Sequence, residues 1–188
     1  MHALARFTFA STFVLALASL ACTAPVDETS LVASFVVEGS LDQNTCGSQA
    51  IPELPDPWTR RAELRRSEAG LYYWRELGTG VQVQGTKAPN GELRFRASST
   101  RTLIAAEPSL GYPGCNVHIE DELRFVLEGG PGDAADAGMA AGYFFAGRQV
   151  SVISIAAGSD CWPALNANGG NFLALPCSFA FDLEGEEE

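Results

Sequence analysis

Apolar and polar residues alternate along most of the chain, and this period of two residues is typical of β-strands with one buried face. The clearest run is QVSVISIA, at residues 149–156, in which Val150 and Val152 alternate with polar residues and so do Ile153 and Ile155. The runs of this kind lie at residues 31–38, 71–77, 81–84, 93–96, 102–106, 117–119, 123–127, 149–156 and 172–183.

Short turns separate these runs. Asn90-Gly91 is a pair that tolerates positive φ, and Gly78 and Gly80 lie between two further runs. Strands spaced about 8–12 residues apart and joined by tight turns are typical of all-β folds. The sequence therefore predicts a single antiparallel meander over residues 31–183, arranged as a small barrel or a β-sandwich.

Residues 57–66 fit two local structures. Asp56 could cap a helix that has Pro57 at its first position. The same residues also alternate between two faces, and a turn at residues 67–70 would join them to the next strand as a hairpin. We favour the hairpin.

Three segments lack the apolar pattern. Residues 128–142 (EGGPGDAADAGMAAG) contain few bulky side chains, which predicts a mobile loop. A helix over residues 134–141 is the alternative, although Gly138 weakens it. Residues 184–188 predict a solvated acidic tail, and residues 22–30 predict a flexible tether.

The first residues have the pattern of an export signal. One cation, Arg6, precedes an apolar stretch at residues 7–20, which is shorter than the roughly 20 residues of a membrane span. Residues 1–21 are therefore predicted to be a signal peptide. The alternative is an ordinary secretory peptide, cleaved after Ala21 or Ala24.

The end of this stretch reads ASLAC, with the small residue Ala21 directly before Cys22. It resembles the lipobox of bacterial lipoproteins, although Ser19 and Leu20 stand in the reverse of the usual order. The resemblance implies that Cys22 becomes the lipidated N-terminus. It also implies an outer-membrane location, since Thr23 replaces the Asp that often signals inner-membrane retention. No family is recognised for the rest of the chain.

The chain has five cysteines, an odd number. A lipid on Cys22 would leave Cys46, Cys115, Cys161 and Cys177, and an even number in an oxidising compartment predicts two disulfides. Three connectivities are open. We favour Cys46–Cys115 with Cys161–Cys177, because the second pair encloses a short Gly- and Asn-rich loop.

The net charge is −11 at pH 7, so nucleic acid and anionic lipid headgroups would repel the chain. The expected partners are a membrane, through the lipid, and an unidentified protein or small ligand. The one basic cluster is expected to be neutralised by neighbouring carboxylates; its members are Arg60, Arg61, Arg65 and Arg66.

The motifs of nucleophilic, zinc, nucleotide and dinucleotide sites are absent from the sequence. His118 is the one histidine after the leader, and its strand pattern places it beside Glu120 on an outer face, as a surface pair. Loop oxygens such as those of Asp133, Asp136 and Asp160 lack the spacing of a calcium site. We therefore expect no catalytic residue, no metal and no cofactor.

Aromatic residues concentrate near the strand ends, where they could fill a barrel or line a cavity. Tyr72, Trp74 and Trp162 are the residues that we select as a candidate binding surface. The sequence thus favours a non-catalytic, membrane-tethered binding or envelope module. A lipocalin-like ligand-binding barrel and a carboxylate-dependent hydrolase remain the alternatives.

Overall fold

The structure is a computed structural model that describes residues 29–50, 56–130 and 142–188. Eight antiparallel strands form a closed barrel in which each strand pairs with the next, and the last pairs with the first. The strands are β1 (Thr29–Asn44), β2 (Trp58–Ser67), β3 (Tyr72–Glu76), β4 (Gln82–Lys87), β5 (Glu92–Ile104), β6 (Cys115–Gly129), β7 (Tyr143–Ile155) and β8 (Cys177–Glu187).

The up-and-down topology gives the barrel two distinct ends. Thr29, the first described residue, lies at the end that we call the base, together with the turns at residues 68–71 and 88–91. The turn at residues 77–81 and the long connections at residues 105–114 and 156–176 lie at the opposite end, the top. The base is therefore the end nearest to the N-terminal segment.

Aromatic rings fill the base half of the barrel. Phe125 stacks on Phe145 with ring centroids 4.2 Å apart, and Phe35 meets Phe145 edge-on at 5.1 Å. Trp74 and Phe95 complete this group, and all five side chains are at least nine-tenths buried. Apolar burial and favourable ring geometry together stabilise this half of the molecule.

Four inward-facing glycines each lie directly across from an aromatic residue of the neighbouring strand. A methyl group added at any of them would come within 2.7 Å of the opposing ring or its Cβ atom. The pairs are Gly39 with Trp58, Gly85 with Phe95, Gly147 with Phe125, and Gly185 with Phe145. The large side chain thus occupies the space that the glycine leaves, which allows a tightly curved sheet to close over big rings.

The two disulfides cross-link the top of the barrel, and their pairing differs from the one we predicted. Cys46 bonds to Cys177 and Cys115 bonds to Cys161, and all four sulfurs belong to a second buried cluster. The prediction was wrong because strand pairing, and not closeness in sequence, brings these cysteines together. β1 pairs with β8, which places Cys46 beside Cys177. β6 pairs with β7, and the connection after β7 passes the start of β6, where Asp160 N donates to Gly114 O and Cys161 meets Cys115.

The all-β prediction is confirmed, and the sheet closes as a barrel instead of dividing into a sandwich. Residues 57–66 lie in β2 from Trp58 onward, as the hairpin interpretation requires. β5 and β6 each join two runs that we had separated. β8 starts only at Cys177, since Phe172 instead forms an isolated bridge with Leu165 in the preceding connection.

Both ends of the barrel domain extend beyond the predicted boundaries. Thr29 and Ser30, assigned to the tether, belong to β1, and residues 184–187, assigned to a tail, belong to β8. Asp182, Glu184 and Glu186 of β8 are exposed on the outer face and alternate with inward Leu183 and Gly185, so their charge does not oppose pairing.

The predicted mobile loop begins inside a strand, since residues 128 and 129 end β6. Its centre, residues 131–141, lies outside the described residues, as do the predicted signal peptide and Cys22. Across residues 29–50, 56–130 and 142–188, no helix is long and apolar enough to cross a membrane.

Candidate functional site

Unequal strand lengths leave a gap in one side of the barrel wall near the top, although the ring of paired strands is closed. β3 and β4 have 5 and 6 residues, whereas the neighbouring strands β5, β6 and β7 have 13, 15 and 13. The long strands therefore continue toward the top beyond the short hairpin. The inward face that they expose is the wall of a cleft at the end of that hairpin.

The cleft has a volume of about 280 Å³. Its apolar lining includes Trp74, Phe95 and Leu123, which also belong to the buried core and are each at most 9% exposed. Val81 lies at its lip and is half exposed. The complete lining is Arg60, Trp74, Glu76, Val81, Val83, Phe95, Ala97, Asp121, Leu123 and Gln149.

Four polar side chains interrupt the inward apolar rows of their strands. Arg60 follows Trp58 on the inner face of β2, and Glu76 follows Trp74 on β3. Asp121 on β6 and Gln149 on β7 are diagonal neighbours in the long-strand wall, since Asp121 pairs with Ser151 and Gln149 pairs with Leu123. The sequence signal for the site is thus a polar residue at a position where the alternation demands an apolar one. None of the sequence predictions above used that signal.

An ion pair lies along the β2–β3 side of the cleft. Arg60 Nη1 lies 3.5 Å from Glu76 Oε1, and the hydroxyl of Thr79 donates to Glu76 Oε2 at 3.3 Å. The guanidinium carbon of Arg60 also lies 4.7 Å from the ring centroid of Trp58. Arg60 is therefore fixed by a carboxylate on one side and by an aromatic ring on the other.

Asp121 is fixed by a different partner. The hydroxyl of Ser151, which is 2% exposed, donates to Asp121 Oδ1 at 2.5 Å. An ionised carboxylate has about four acceptor sites, so this bond leaves Asp121 with acceptor capacity. Its orientation is set before any ligand arrives.

The three aromatic residues that we selected from sequence do not form one surface. Trp74 lines the cleft, although only 7% of it is exposed. Tyr72 lies nearer the base, where the guanidinium of Arg66 is 5.4 Å from its ring centroid. Trp162 lies among the top connections and is 66% exposed.

His118 stands on the outer face, where Nε2 is 3.5 Å from Glu120 Oε1 and both side chains are exposed. It lies outside the cleft and could not act on a molecule bound there. Within the described part of the chain, no group of three or more His, Cys, Asp or Glu residues could hold a metal ion.

The arginines of the basic cluster have local partners. Arg61 pairs with Glu188 at 3.2 Å and Arg65 pairs with Glu63 at 3.1 Å, in addition to the pair in the cleft. Arg66 contacts the ring described above. Carboxylates thus pair with three of the four arginines, as the sequence predicted, whereas the recorded contact of Arg66 is with an aromatic ring.

A shallower depression of about 640 Å³ lies on the outer face of β5, β6 and β7. Most of the side chains around it point outward, and two of them, Arg96 and Glu122, form an ion pair with each other. The inner cleft, with an aromatic floor and convergent polar groups, has the features of a ligand site, so we take the cleft as the candidate site.

The fold and cleft define a disulfide-linked, eight-stranded up-and-down barrel that is open on one side. Comparison of the chain with protein-family models, curated proteins and solved structures finds no match in any of the three.

Proposed function

We propose that this protein is a non-catalytic binding module of the bacterial cell envelope, tethered by lipid on Cys22, whose barrel holds a small ligand. The observation that carries the proposal is the cleft of about 280 Å³, which combines an aromatic floor with four convergent polar side chains. Eight-stranded barrels are wide enough to hold one small ligand among their inward side chains.

The position of the tether supports this arrangement. Thr29 lies at the base, and the cleft lies toward the top, beside the turn at residues 77–81. A chain anchored near its N-terminus would hold the base toward the membrane and present the cleft to the aqueous compartment. The two disulfides are consistent with an oxidising compartment outside the cytoplasm.

Binding can be tested with a neutral aromatic probe, 2-phenylethanol, followed by NMR chemical shifts. We expect shifts at Val81 and Gln149, which line the cleft. Ala97→Phe places a ring inside the cleft and should weaken binding at least about tenfold, since it fills much of the space. The matched control is Ser98→Phe, the next residue on β5, whose side chain lies at the outer depression.

If Ser98→Phe weakens binding and Ala97→Phe does not, the probe occupies the outer depression and the cleft proposal is wrong. A probe that shifts no resonance near the cleft would also contradict it.

The lipid anchor has its own test, because Cys22 lies outside the described residues. Mass spectrometry of the mature protein should show acyl chains on Cys22 and residues 1–21 removed. Palmitate labelling that persists in Cys22→Ala would refute the anchor. An unmodified N-terminus at Pro25 would indicate plain secretion after Ala24.

A carboxylate-dependent hydrolase is the second candidate, and one observation favours it: Glu76 and Asp121 line the same cleft. We rank it below binding because Glu76 is bound by Arg60 and Asp121 by Ser151. Release of nitrophenol from nitrophenyl glycosides or esters, lost in Glu76→Gln, would establish the hydrolase and overturn the non-catalytic proposal.

A further inference from the structure

We infer that the ligand of the cleft is a small organic cation, an amine carried on one aromatic or aliphatic ring. The inference rests on the proposed binding function and specifies the chemistry of its ligand. It follows from the charges of the lining residues, the position of Asp121, the aromatic floor and the size of the cleft.

The cleft has a net negative charge. Its charged lining residues are one cation, Arg60, and two anions, Glu76 and Asp121. Arg60 and Glu76 form an ion pair, so their charges largely cancel. Asp121 remains as the uncompensated charge, since its partner in the cleft wall, Ser151, is neutral.

Asp121 is placed to receive a cation. It lies on the inner face of β6, in register with Ala97 on one side and Ser151 on the other. The hydroxyl of Ser151 fixes its orientation, and its remaining acceptor sites can take N–H groups from an ammonium ion. A charge-assisted hydrogen bond to a carboxylate fixed in advance requires little ordering on binding.

The floor beside Asp121 is suited to the body of the same ligand. Trp74 packs against Phe95 and Phe125 at centroid distances of 6.1 and 5.4 Å, and these neighbours hold its ring in place. Indole attracts cations through the negative potential of its face. The molecule already uses this interaction nearby, where Arg60 lies over Trp58.

An anionic ligand of the same shape fits poorly. A carboxylate that approached Arg60 would have to displace Glu76, which already occupies the guanidinium at 3.5 Å. It would also lie in the same small cleft as Asp121, and two like charges at short range repel each other. The overall charge of −11 further favours the approach of cations over anions.

The size of the cleft sets an upper limit on the ligand. About 280 Å³ is at the lower end of the range for small-molecule sites, which favours one ring with a short side chain. A long acyl chain would need a deeper cavity, and the aromatic core already fills the barrel below the cleft.

The test uses three ligands with nearly the same shape: 2-phenylethylamine as the cation, 2-phenylethanol as the neutral form and 3-phenylpropionate as the anion. Affinities are measured for the oxidised full-length protein by NMR titration or calorimetry at pH 7. We expect the amine to bind about tenfold more tightly than the alcohol, and the acid more weakly than the alcohol. The preference for the amine should diminish as salt is raised.

Asp121→Asn removes the charge and keeps the shape, so it should abolish the preference for the amine while binding of the alcohol is retained. Retained alcohol binding also shows that the variant is folded. The matched control is Glu120→Gln, which makes the same change of charge at the adjacent position, on the outer face. It should leave all three affinities unchanged.

Glu76→Gln provides a second, independent variant. It frees Arg60 from its carboxylate partner and should raise the affinity for 3-phenylpropionate relative to the wild type. A higher affinity of Glu76→Gln for 3-phenylpropionate and a lost amine preference in Asp121→Asn would be two independent results in support of the inference.

Two outcomes would overturn the inference and leave the binding proposal intact. In one, the alcohol and the amine bind equally to the wild type; in the other, Asp121→Asn keeps the full preference for the amine. If none of the three ligands binds at the cleft, the binding proposal itself fails, and the inference fails with it.

Discussion

Gly185→Ala tests whether the glycine–aromatic pairs determine the stability of the barrel. Gly185 stands on the inner face of β8, opposite Phe145 of β7. A Cβ atom at this position would lie 2.0 Å from Phe145 Cε1, whereas ordinary van der Waals contacts begin at 3.4 Å. The ring would therefore have to move by about 1.4 Å.

Phe145 cannot move that far cheaply. It is 2% exposed, is stacked 4.2 Å from Phe125 and meets Phe35 edge-on at 5.1 Å. Overpacking a filled core typically costs about 1–3 kcal/mol. We expect a loss near the upper end of this range, which lowers Tm by about 2–4 °C for each kcal/mol in a domain of this size.

The sign of the stability change is informative, because the low strand propensity of glycine by itself predicts that Gly185→Ala stabilises the protein. Glycine inside a strand is unfavourable, and replacing it by alanine without a clash stabilises by about 0.5–1 kcal/mol. Gly78→Ala is the matched control, since no atom of the described residues lies within 4 Å of the place its methyl group would take, and its φ is not positive. We expect this control to be neutral or slightly stabilising.

The assay is urea unfolding of the oxidised protein, followed by near-ultraviolet circular dichroism. A second variant combines Gly185→Ala with Phe145→Leu. Because the smaller side chain relieves the clash, the double variant should lose less stability than the sum of the two single variants. If Gly185→Ala is as stable as the wild type, the packing argument is wrong for this pair. Strictly additive losses in the double variant would show that the two residues do not interact.

Three further measurements test other parts of the structure. Replacing Cys46 and Cys177 by alanine should cost about 5 kcal/mol in the chain-entropy model, and replacing Cys115 and Cys161 about 4, because the loops span 131 and 46 residues; urea unfolding that gives the reverse order would contradict this. Desolvation, with a smaller contribution from the negative charge of Asp160, raises the pKa of Tyr112. The folded protein therefore favours the neutral phenol, and the free energy of unfolding should fall as pH rises past 10, where the tyrosine of the unfolded chain ionises first. The tyrosinate absorbance that disappears in Tyr112→Phe should thus titrate above the ordinary range, and a normal midpoint would refute the assignment. Trp162 is 66% exposed whereas Trp58 and Trp74 are at least nine-tenths buried; Trp162→Phe should therefore remove most of the fluorescence that acrylamide quenches, and unchanged quenching would place the exposed indole elsewhere.

The residues of the candidate site can be found from the local sequence pattern, but their arrangement around one cleft cannot. Polar residues at inward positions, Asp121 between Ile119 and Leu123 for example, are visible in the sequence once the strand is assigned. Their convergence is not visible, because Arg60, Glu76, Asp121 and Gln149 come from four different strands. Only the closed barrel and the shortness of β3 and β4 place these side chains around one cleft.

The amino-acid sequence alone determined the all-β class, the strand alternation, the hairpin at residues 57–66 and the even set of four cysteines after Cys22. These features are local, since side-chain alternation and turn chemistry depend on residues close together in the chain. The tertiary structure decided the features that depend on register between distant strands: closure as a barrel, the pairing of Cys46 with Cys177, and the incorporation of residues 184–187 into β8. The physical reason is that backbone hydrogen bonding joins β1 to β8 across almost the whole chain, and no local pattern encodes that contact.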